Sequence, residues 1–293
     1  MKDFVLSLLK WIGILLELTK FKITFFVTVT TFLGYVLYKK AVHYDLITAI
    51  LGVLILSSGS AILNHYQERE YDKLMVRTKN RPIPSGKTKP LFVLILGVIF
   101  SLIGVSVLYY FHGFLATLLG IIALIWYNLI YTPLKRVTSL AVVPGALIGA
   151  LPPIIGWVAA GGNVFVPKIL MVAFFFFVWQ IPHFWLLMLV YDEDYKKAGY
   201  PTLTRKFDRE QIFRLTFIWI VSLSVASMLM PIYQLLDHKI FNLGFLLLAV
   251  WLIVKSRSLI KNKDDPKMLV KEFRLINVFV LLIVTQLSID KLI

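Results

Sequence analysis

The chain has 293 residues, of which 59% are apolar and only 16% charged, and its mean hydropathy is +0.81. Soluble domains carry about 25% charged residues, so a soluble enzyme and a disordered chain are excluded, and the absence of cysteine excludes a disulfide scaffold. Lysine and arginine number 31 against 16 acidic residues, which gives a net charge of +15. We therefore expect an integral protein of the lipid bilayer whose positive charge is concentrated in particular segments.

Residues 1–20 are predicted to form an N-terminal segment at the membrane interface, with a helix over 3–19 that Trp11 anchors. Lys10, Glu17 and Lys20 interrupt its apolar run, and no small-residue cleavage site follows, which argues against a cleaved signal peptide. A short additional transmembrane span is the alternative interpretation of the same residues.

Nine mostly apolar runs follow, each close to the ~20 residues that a transmembrane helix needs. The third and fourth runs are joined tightly through residues 110–113, and the fifth contains Pro144, Pro152 and Pro153. Membrane helices tolerate proline where neighbouring groups satisfy the freed backbone. We predict an all-α polytopic membrane protein, a bundle of about nine transmembrane helices that forms a single domain over 1–293. The spans are predicted at 22–38, 46–63, 90–110, 113–131, 139–160, 166–190, 212–234, 240–256 and 275–290.

The basic residues are distributed unevenly between the two sides of the predicted bundle. Segments on the N-terminal side hold 26 lysines and arginines, and segments on the other side hold 5. Because cytoplasmic loops carry the excess of basic residues, we predict a cytoplasmic N-terminus and a C-terminus outside, in a bacterial inner membrane. The basic residues are spread over five juxtamembrane segments rather than one patch, so we predict no nucleic-acid partner.

The few acidic residues are clustered at the cytoplasmic ends of the second and sixth spans. Asn64, Glu68 and Asp72 have the spacing i, i+4 and i+8, so they share one face if the second span continues as a helix past the membrane. One amide and two carboxylates form an oxygen-rich site of the kind that Mg²⁺ prefers. The clusters are Glu68, Glu70 and Asp72 after the second span, and Asp192, Glu193 and Asp194 after the sixth.

Basic residues follow the first acidic cluster at once, including Arg77 and Arg81, and arginine binds phosphate oxygens bidentately. Solvated loops of an ordinary membrane protein are the simplest alternative. Two carboxylate clusters four spans apart instead indicate a repeated bundle in which both clusters face one central cavity, open to the cytoplasmic side. The residues therefore predict a Mg²⁺–diphosphate site above an apolar cavity for a lipid tail, where metal and cations stabilise a leaving diphosphate.

The first acidic cluster lies in a segment, N-H-Y-Q-E-R-E-Y-D at 64–72, that resembles the N-x-x-x-D-x-x-x-D motif of the UbiA-type intramembrane prenyltransferases. The pattern of Met75, Arg77 and Arg81 is similar to the branch of that family that farnesylates haem B. The matches cover about 18–203, and the last three predicted spans contain few residues of the family motifs. The other matching segments are L-T-K-F-K-I at 18–23, Y-T-P-L-K-R at 131–136, P-P-I-I-G-W at 152–157, P-H-F-W at 182–185 and D-Y-K-K-A-G-Y-P at 194–201.

This resemblance implies an enzyme that transfers the farnesyl group of farnesyl diphosphate to a vinyl group of haem B with addition of water, giving haem O for cytochrome oxidase biogenesis. It implies Mg²⁺ as the cofactor and makes a haem A synthase a candidate partner. Prenylation of a quinone or chlorin precursor by another branch of the family is the first alternative. A polytopic transporter of an anionic lipid or metabolite is the second, although transporters place their sites near the bilayer midplane. A structural assembly factor that has lost activity is the third.

By match to the family motifs, Glu68, Asp72 and Asp194 are the predicted catalytic Mg²⁺–diphosphate residues, and Asp192 is a predicted fourth metal ligand. For the basic residues the alternative is juxtamembrane anchoring. The resemblance implies that His183 contacts the tetrapyrrole, and the alternative is that it forms a hydrogen bond between helices. The predicted substrate-binding residues are Asn64, Lys22, Arg77, Arg81, Lys135, Arg136 and His183.

Five positions depart from the family pattern. Glu68 stands where the family usually has aspartate, which lengthens the reach of that carboxylate by one methylene. Phe21 and Lys22 replace the usual proline and arginine, and Thr202 and Thr204 replace the usual methionine and second proline of P-M-L-P. These departures bear on the choice of acceptor, and they leave the carboxylates and the phosphate-binding cations in place.

Overall fold

The computed structural model describes residues 2–261 and 267–293, and all the regular secondary structure in these residues is helical. The prediction of an all-α chain is confirmed. The helices are α1 (Lys2–Leu18), α2 (Phe21–Lys39), α3 (Asp45–Leu74), α4 (Pro90–Ile125), a π-helix (Trp126–Tyr131), α5 (Thr132–Leu134), a 3₁₀-helix (Ser139–Ala141), α6 (Val142–Gly145), α7 (Leu147–Ala159), α8 (Pro167–Val190), α9 (Asp192–Lys197), a second 3₁₀-helix (Leu203–Arg205), α10 (Arg209–Leu229), α11 (Lys239–Ser256), α12 (Ser258–Lys261) and α13 (Met268–Leu292).

Seven helices in the described residues are long and apolar enough to cross a membrane. One of these, the continuous run Pro90–Leu134, has 45 residues and would be about 67 Å long if it were straight, twice the thickness of a bilayer core. Its backbone is not helical at Gly113, where φ is 74° and ψ is −171°, so it forms two segments. With α13, which covers the predicted span 275–290, the described residues from α2 onward contain nine long helical segments, in agreement with the prediction of about nine.

The two halves of this 45-residue run pack antiparallel, as contacts with Leu56 of α3 show. A Cβ added at Gly104 would lie 2.5 Å from the Leu56 backbone nitrogen, and one added at Gly120 would lie 2.7 Å from Leu56 Cδ2. A straight helix would separate these two glycines by about 24 Å. The chain therefore turns back on itself at Gly113, and glycine is required there because its positive φ strains any other residue.

Helix α3 continues well past the membrane, as the sequence predicted. Its 30 residues are about 45 Å long, which exceeds the ~30 Å hydrocarbon core by several turns. Asn64, Glu68 and Asp72 lie in these last turns, and all three are buried. The predicted spacing therefore places one amide and two carboxylates on an inward face at the end of the helix.

Glycines allow α7 to lie directly against α2. A Cβ at Gly34 would lie 1.8 Å from the Pro153 carbonyl oxygen, and one at Gly156 would lie 1.9 Å from the Thr31 carbonyl oxygen. The backbones therefore touch, which is the usual role of small residues between membrane helices. This contact fixes one wall of the bundle interior.

At the end of the bundle where α2 and α13 finish, an ion-pair network joins three segments. Lys40 pairs with Asp237 at 2.6 Å, and Asp237 also pairs with Lys291 of α13 at 2.9 Å. The buried Asp290 carboxylate accepts the backbone N–H groups of Asp237 and His238. The network holds α2, the α10–α11 connection and α13 together at this end.

Helix α1 lies outside the main bundle and contacts it through one face. Its Ile14 and Leu18 are buried against α3 and the start of α4, and the Trp11 ring meets Phe92 edge-on at 6.0 Å. Most of its other large apolar side chains, including Leu9 with 58% exposed, face outward. This exposed apolar face is the one that the predicted position in the membrane interface requires.

Candidate active site

A cavity of about 300 Å³ joins the charged ends of the helices to an apolar interior. At one end it is lined by side chains from the end of α3, the loop after it, α5 and the α8–α10 connection. Towards the interior the lining becomes apolar and reaches Val53 of α3, about 22 Å along the helix from Glu68. The charged residues that line the cavity are Lys20, Glu68, Asp72, Arg77, Arg81 and Lys135.

Each of the two buried carboxylates on α3 is held by a basic partner. Asp72 accepts Arg81 Nη1 on both oxygens at 2.8 Å, and its side chain is fully buried. Glu68 pairs with the Lys135 ammonium and accepts the Tyr200 hydroxyl at 2.9 Å. Burial and the neighbouring Glu68 carboxylate raise the pKa of Tyr200, so it stays a hydrogen-bond donor. Glu68 thus has fixed partners despite the extra methylene that distinguishes it from the family aspartate.

Lys20 is a site residue that the sequence did not single out. It connects α1 and α2 in the left-handed conformation, with φ 49° and ψ 48°, which turns its side chain into the cavity. Its Nζ donates to Asn64 Oδ1 at 2.6 Å and to the Tyr127 hydroxyl at 3.4 Å. Burial and the nearby Arg81 guanidinium lower the pKa of Lys20 to about 7.

Lys22 is the lysine of this segment that was predicted to bind substrate. It is exposed and does not line the cavity. Lys22 stays a predicted substrate-binding residue, and the structure does not bring it to this cavity. The left-handed turn that directs Lys20 inward is a strained conformation that the residue types do not report. A lysine beside the first helix does enter the site, two positions earlier than expected.

Asn64 lies behind the cavity wall rather than in it. Its side chain is fully buried, with Oδ1 accepting from Lys20 and Nδ2 donating to Thr132 Oγ1 at 3.2 Å. A lysine has only donors, so the Lys20 contact fixes which way the amide points. Asn64 therefore positions Lys20 and the start of α5, and it does not face a ligand directly.

A π-helix over Trp126–Tyr131 packs against α3 and forms the neighbouring part of the cavity wall. Such segments widen a helix by one residue and are frequent at functional sites. Here the Tyr127 carbonyl accepts both the backbone N–H of Thr132, in the wider turn, and the Thr132 hydroxyl at 2.8 Å. Tyr127 and Tyr131 both line the cavity with their rings stacked at 5.9 Å, and Lys135 Nζ lies 5.5 Å from the Tyr131 ring centre.

The second acidic cluster lies beside the cavity and is engaged in holding loops. Asp194 accepts the backbone N–H groups of Val76 at 3.3 Å and Arg77 at 3.1 Å, so it joins the α3–α4 loop to α9. Asp192 pairs with Lys196 at 2.7 Å and accepts the Thr204 hydroxyl at 2.9 Å. Neither carboxylate lines the cavity. Thr204, one of the departures from the family pattern, thus gives Asp192 a partner.

Two further predicted residues lie outside the cavity. His183 Nδ1 contacts Asn277 Oδ1 of α13 at 2.8 Å, and its ring lies 4.8 Å from the Phe273 ring centre. Arg136 donates to the Gln67 carbonyl at 2.7 Å and stacks on Tyr71. Neither side chain lines the cavity, and the interhelical hydrogen bond considered for His183 is the contact that forms.

The donor chemistry of Glu68 and Asp72 fits Mg²⁺. In residues 2–261 and 267–293, no group of three acidic or histidine side chains converges to hold a metal ion. Magnesium is commonly held by one or two carboxylates, with water and substrate phosphates completing its shell. Two buried carboxylates on one helix face, beside Lys20, Arg81 and Lys135, meet that requirement once a diphosphate supplies the remaining oxygens.

Comparison with known proteins identifies the class of protein that this fold and site define. Residues 27–278 match the profile of the UbiA prenyltransferase family. The chain belongs to the UbiA prenyltransferase family. A solved structure described as digeranylgeranylglyceryl phosphate synthase superposes with a TM-score of 0.78 over 96% of this chain and 98% of its own, at 15% identity. A UbiA homologue from Archaeoglobus fulgidus, solved with GPP and Mg²⁺, gives 0.64 over 94% and 99%, at 14% identity.

Curated relatives narrow the assignment within this family. A protoheme IX farnesyltransferase from Geobacter sulfurreducens is 41% identical over 70% of this chain and 76% of the relative. A protoheme IX farnesyltransferase from Oleidesulfovibrio alaskensis is 30% identical over 94% of this chain and 96% of the relative. The predicted resemblance is confirmed: the chain is an integral membrane enzyme of the protoheme IX farnesyltransferase, or haem O synthase, branch.

Proposed function

We propose that the cavity transfers a farnesyl group from farnesyl diphosphate to a vinyl group of haem B. The C1–O bond of the donor breaks, and the diphosphate leaves with the electron pair. The vinyl carbon attacks C1, and water adds to the resulting cation and loses a proton, which gives a hydroxyethylfarnesyl substituent. No step needs a covalent enzyme nucleophile, in keeping with the absence of cysteine.

The observation that carries this proposal is the polarity gradient of the cavity. Four cations and two carboxylates line one end, and the remaining length is lined mainly by apolar side chains such as Val27, Val53 and Leu56. A molecule with a highly charged head and a long hydrocarbon tail matches both ends at once. The apolar depth would hold the tail and keep water away from the reacting carbon.

Each residue at the charged end has a proposed task. Lys20, Arg81 and Lys135 bind the diphosphate oxygens and stabilise the negative charge that grows as the C1–O bond breaks. Glu68 and Asp72 hold Mg²⁺, which, when bound, neutralises part of the charge on the leaving diphosphate. Asp192 and Asp194 stay predicted metal residues, and Asp194 would have to release the N–H groups of the α3–α4 loop to act as one.

We further propose that the enzyme resides in a bacterial inner membrane with this charged end on the cytoplasmic side. The end of α3, the loop after it, α5 and the α8–α10 connection all lie on the side that holds 26 of the 31 basic residues. Water-soluble diphosphate would then be released to the cytoplasm. A haem A synthase, which consumes haem O, is the proposed protein partner, and co-purification from membranes is its test.

One assay tests the reaction. Protein in detergent is supplied with Mg²⁺ and farnesyl diphosphate, together with either haem B or a quinone precursor, and products are resolved by mass. We expect prenylated haem. A prenylated quinone precursor would move the enzyme to another branch of its family, and transport of lipid in liposomes without either product would overturn the enzyme assignment. Omission of Mg²⁺ should abolish product formation.

A further inference from the structure

One cation of the cavity lies apart from the carboxylates. Lys20, Arg81 and Lys135 all contact side chains of α3, as described above. Arg77 does not: its guanidinium lies over the Tyr191 ring, 4.7 Å from the ring centre, and no carboxylate in the described part of the chain forms an ion pair with it. The Asp194 carboxylate binds the backbone N–H of Arg77 and not its side chain. The guanidinium therefore lines the cavity with its donors open to an anion.

The wall beside Arg77 differs from the wall around the carboxylates. Tyr191, on which Arg77 stacks, follows Leu187 and Met188 by one turn at the end of α8, and these two side chains line the cavity together with Met75 and Tyr195. Met75 is buried and packs with Tyr195 and Tyr200. Methionine and tyrosine give an apolar, polarisable surface that suits a flat aromatic molecule better than a phosphate. Arg77 thus combines an unpaired positive charge with an apolar wall, at the same end of the cavity as Glu68 and Asp72.

We propose that Arg77 binds a carboxylate of the acceptor, a propionate of haem B, rather than a phosphate of the prenyl donor. This inference rests on the proposed function. Haem B is a flat apolar ring with two carboxylates on one edge and its vinyl groups elsewhere on the ring. A guanidinium holds a carboxylate bidentately, so Arg77 would fix the orientation of the ring. With its carboxylate edge at Arg77, the ring would lie against the methionine wall and direct its vinyl-bearing edge away from Arg77.

The two substrates therefore have separate cations in this cavity. The donor uses Lys20, Arg81 and Lys135 beside the carboxylates of α3. The acceptor uses Arg77 beside the end of α8. The sequence prediction grouped Arg77 with the phosphate-binding residues because basic residues directly follow the first acidic cluster, and that position in the sequence does not separate the tasks of Arg77 and Arg81.

The test compares haem B with haem B dimethyl ester, in which both carboxylates are neutral, for the wild-type enzyme and the Arg77→Met variant. For the wild type we expect the KM for haem B to be lower than that for the ester, by on the order of 10- to 100-fold, because loss of a hydrogen bond between charged groups weakens binding by about this factor. Arg77→Met should raise the KM for haem B to that of the ester. The KM for farnesyl diphosphate should change little in the variant.

Two controls keep the outcomes distinct. Arg209→Met removes an arginine that also stacks on a ring, Phe213 at 5.3 Å, outside this cavity, and should leave both KM values unchanged. Arg77→Lys should restore part of the preference for haem B, and the wild-type comparison of acid and ester holds even if Arg77→Met is unstable. Equal KM values for acid and ester in the wild type, or a rise confined to the farnesyl diphosphate KM, would overturn this inference. Failure of the wild type to prenylate haem B at all would overturn the proposed function instead.

Discussion

At the scale of single residues, Asp72 is the carboxylate whose loss should be most informative. Its side chain is fully buried and faces the cavity, with Arg81 as its partner. Asp72→Asn keeps the shape and one acceptor oxygen but removes the charge that, in the proposed function, would hold a metal ion. We expect turnover to fall by at least about 100-fold, because removal of one group that stabilises the charge of a transition state typically has an effect of this size. The protein should stay folded in detergent.

Glu70, on the same helix, is the matched control for this variant. Its side chain is 64% exposed and pairs with Lys73 on the surface. Glu70→Gln removes one negative charge at nearly the same depth and should leave turnover within about twofold, since exposed ion pairs contribute little. Turnover retained by Asp72→Asn, or lost equally by both variants, would contradict the metal role. A thermal unfolding curve for each separates loss of chemistry from loss of fold.

The lowered pKa of Lys20 makes binding of the donor dependent on pH. With a pKa of about 7, Lys20 is largely protonated at pH 6 and largely neutral at pH 8. A bound diphosphate favours the charged form, so binding above pH 7 takes up a proton, and the Kd rises with pH by up to about tenfold per unit. Calorimetry of a non-hydrolysable prenyl diphosphate in two buffers of different ionisation enthalpy measures this uptake.

Lys20→Met is the control for that measurement. The ligand titrates identically with both proteins, so the difference in proton uptake between wild type and variant reports Lys20 alone. If the uptake is the same in both, Lys20 is charged throughout and its role in the pH dependence is wrong.

Much of the charged end was predictable from the sequence. Glu68, Asp72, Arg77, Arg81 and Lys135 line the cavity, and their motif spacing brought them to one place. Lys22, His183 and Arg136 lie outside this cavity, because side-chain direction depends on local backbone geometry and on distant neighbours. Lys20 enters the cavity, and Lys22 does not, because the backbone at the α1–α2 junction is left-handed. His183 faces Asn277 of α13, a helix that is far away in the sequence.

At the scale of helices, Gly113 is the point on which the packing of α4 depends. Its φ of 74° with ψ of −171° lies in a region that is nearly exclusive to glycine, although a Cβ there would meet no atom within 4 Å. Gly113→Ala should therefore destabilise the fold through backbone strain alone, by about 1–3 kcal/mol. Urea or thermal unfolding in detergent measures the loss.

Gly13 of α1 provides the opposite case. A Cβ at this position would also meet no atom within 4 Å, but the backbone is helical, so Gly13→Ala should be neutral or slightly stabilising. Equal effects of the two substitutions would mean that the turn at Gly113 relaxes without cost. The tight connection at 110–113 was visible in the sequence, whereas the π-helix at Trp126–Tyr131 was not, since its extra residue depends on contacts with α3.

At the scale of the whole molecule, the orientation in the membrane can be tested directly because the chain contains no cysteine. Lys79→Cys would lie in the exposed α3–α4 loop at the charged end, and Phe165→Cys in the exposed α7–α8 connection at the other end. With a membrane-impermeant maleimide applied to intact cells, we expect labelling of the Phe165→Cys protein only. After lysis both should label. Labelling of the Lys79→Cys protein in intact cells would reverse the proposed orientation.

The hairpin formed around Gly113 also bears on how the protein enters the bilayer. The 45 residues from Pro90 to Leu134 contain no lysine, arginine, aspartate or glutamate, so insertion of both segments together moves no formal charge across the membrane. Each such charge would cost about 2.5–3.5 kcal/mol at the centre of a span. Lys89 on one flank and Lys135 on the other would both hold the hairpin from the cytoplasmic side. In the proposed orientation, insertion of this hairpin alone would bring Lys135, the cation that pairs with Glu68, to the cytoplasmic side without any contribution from α8 to α13.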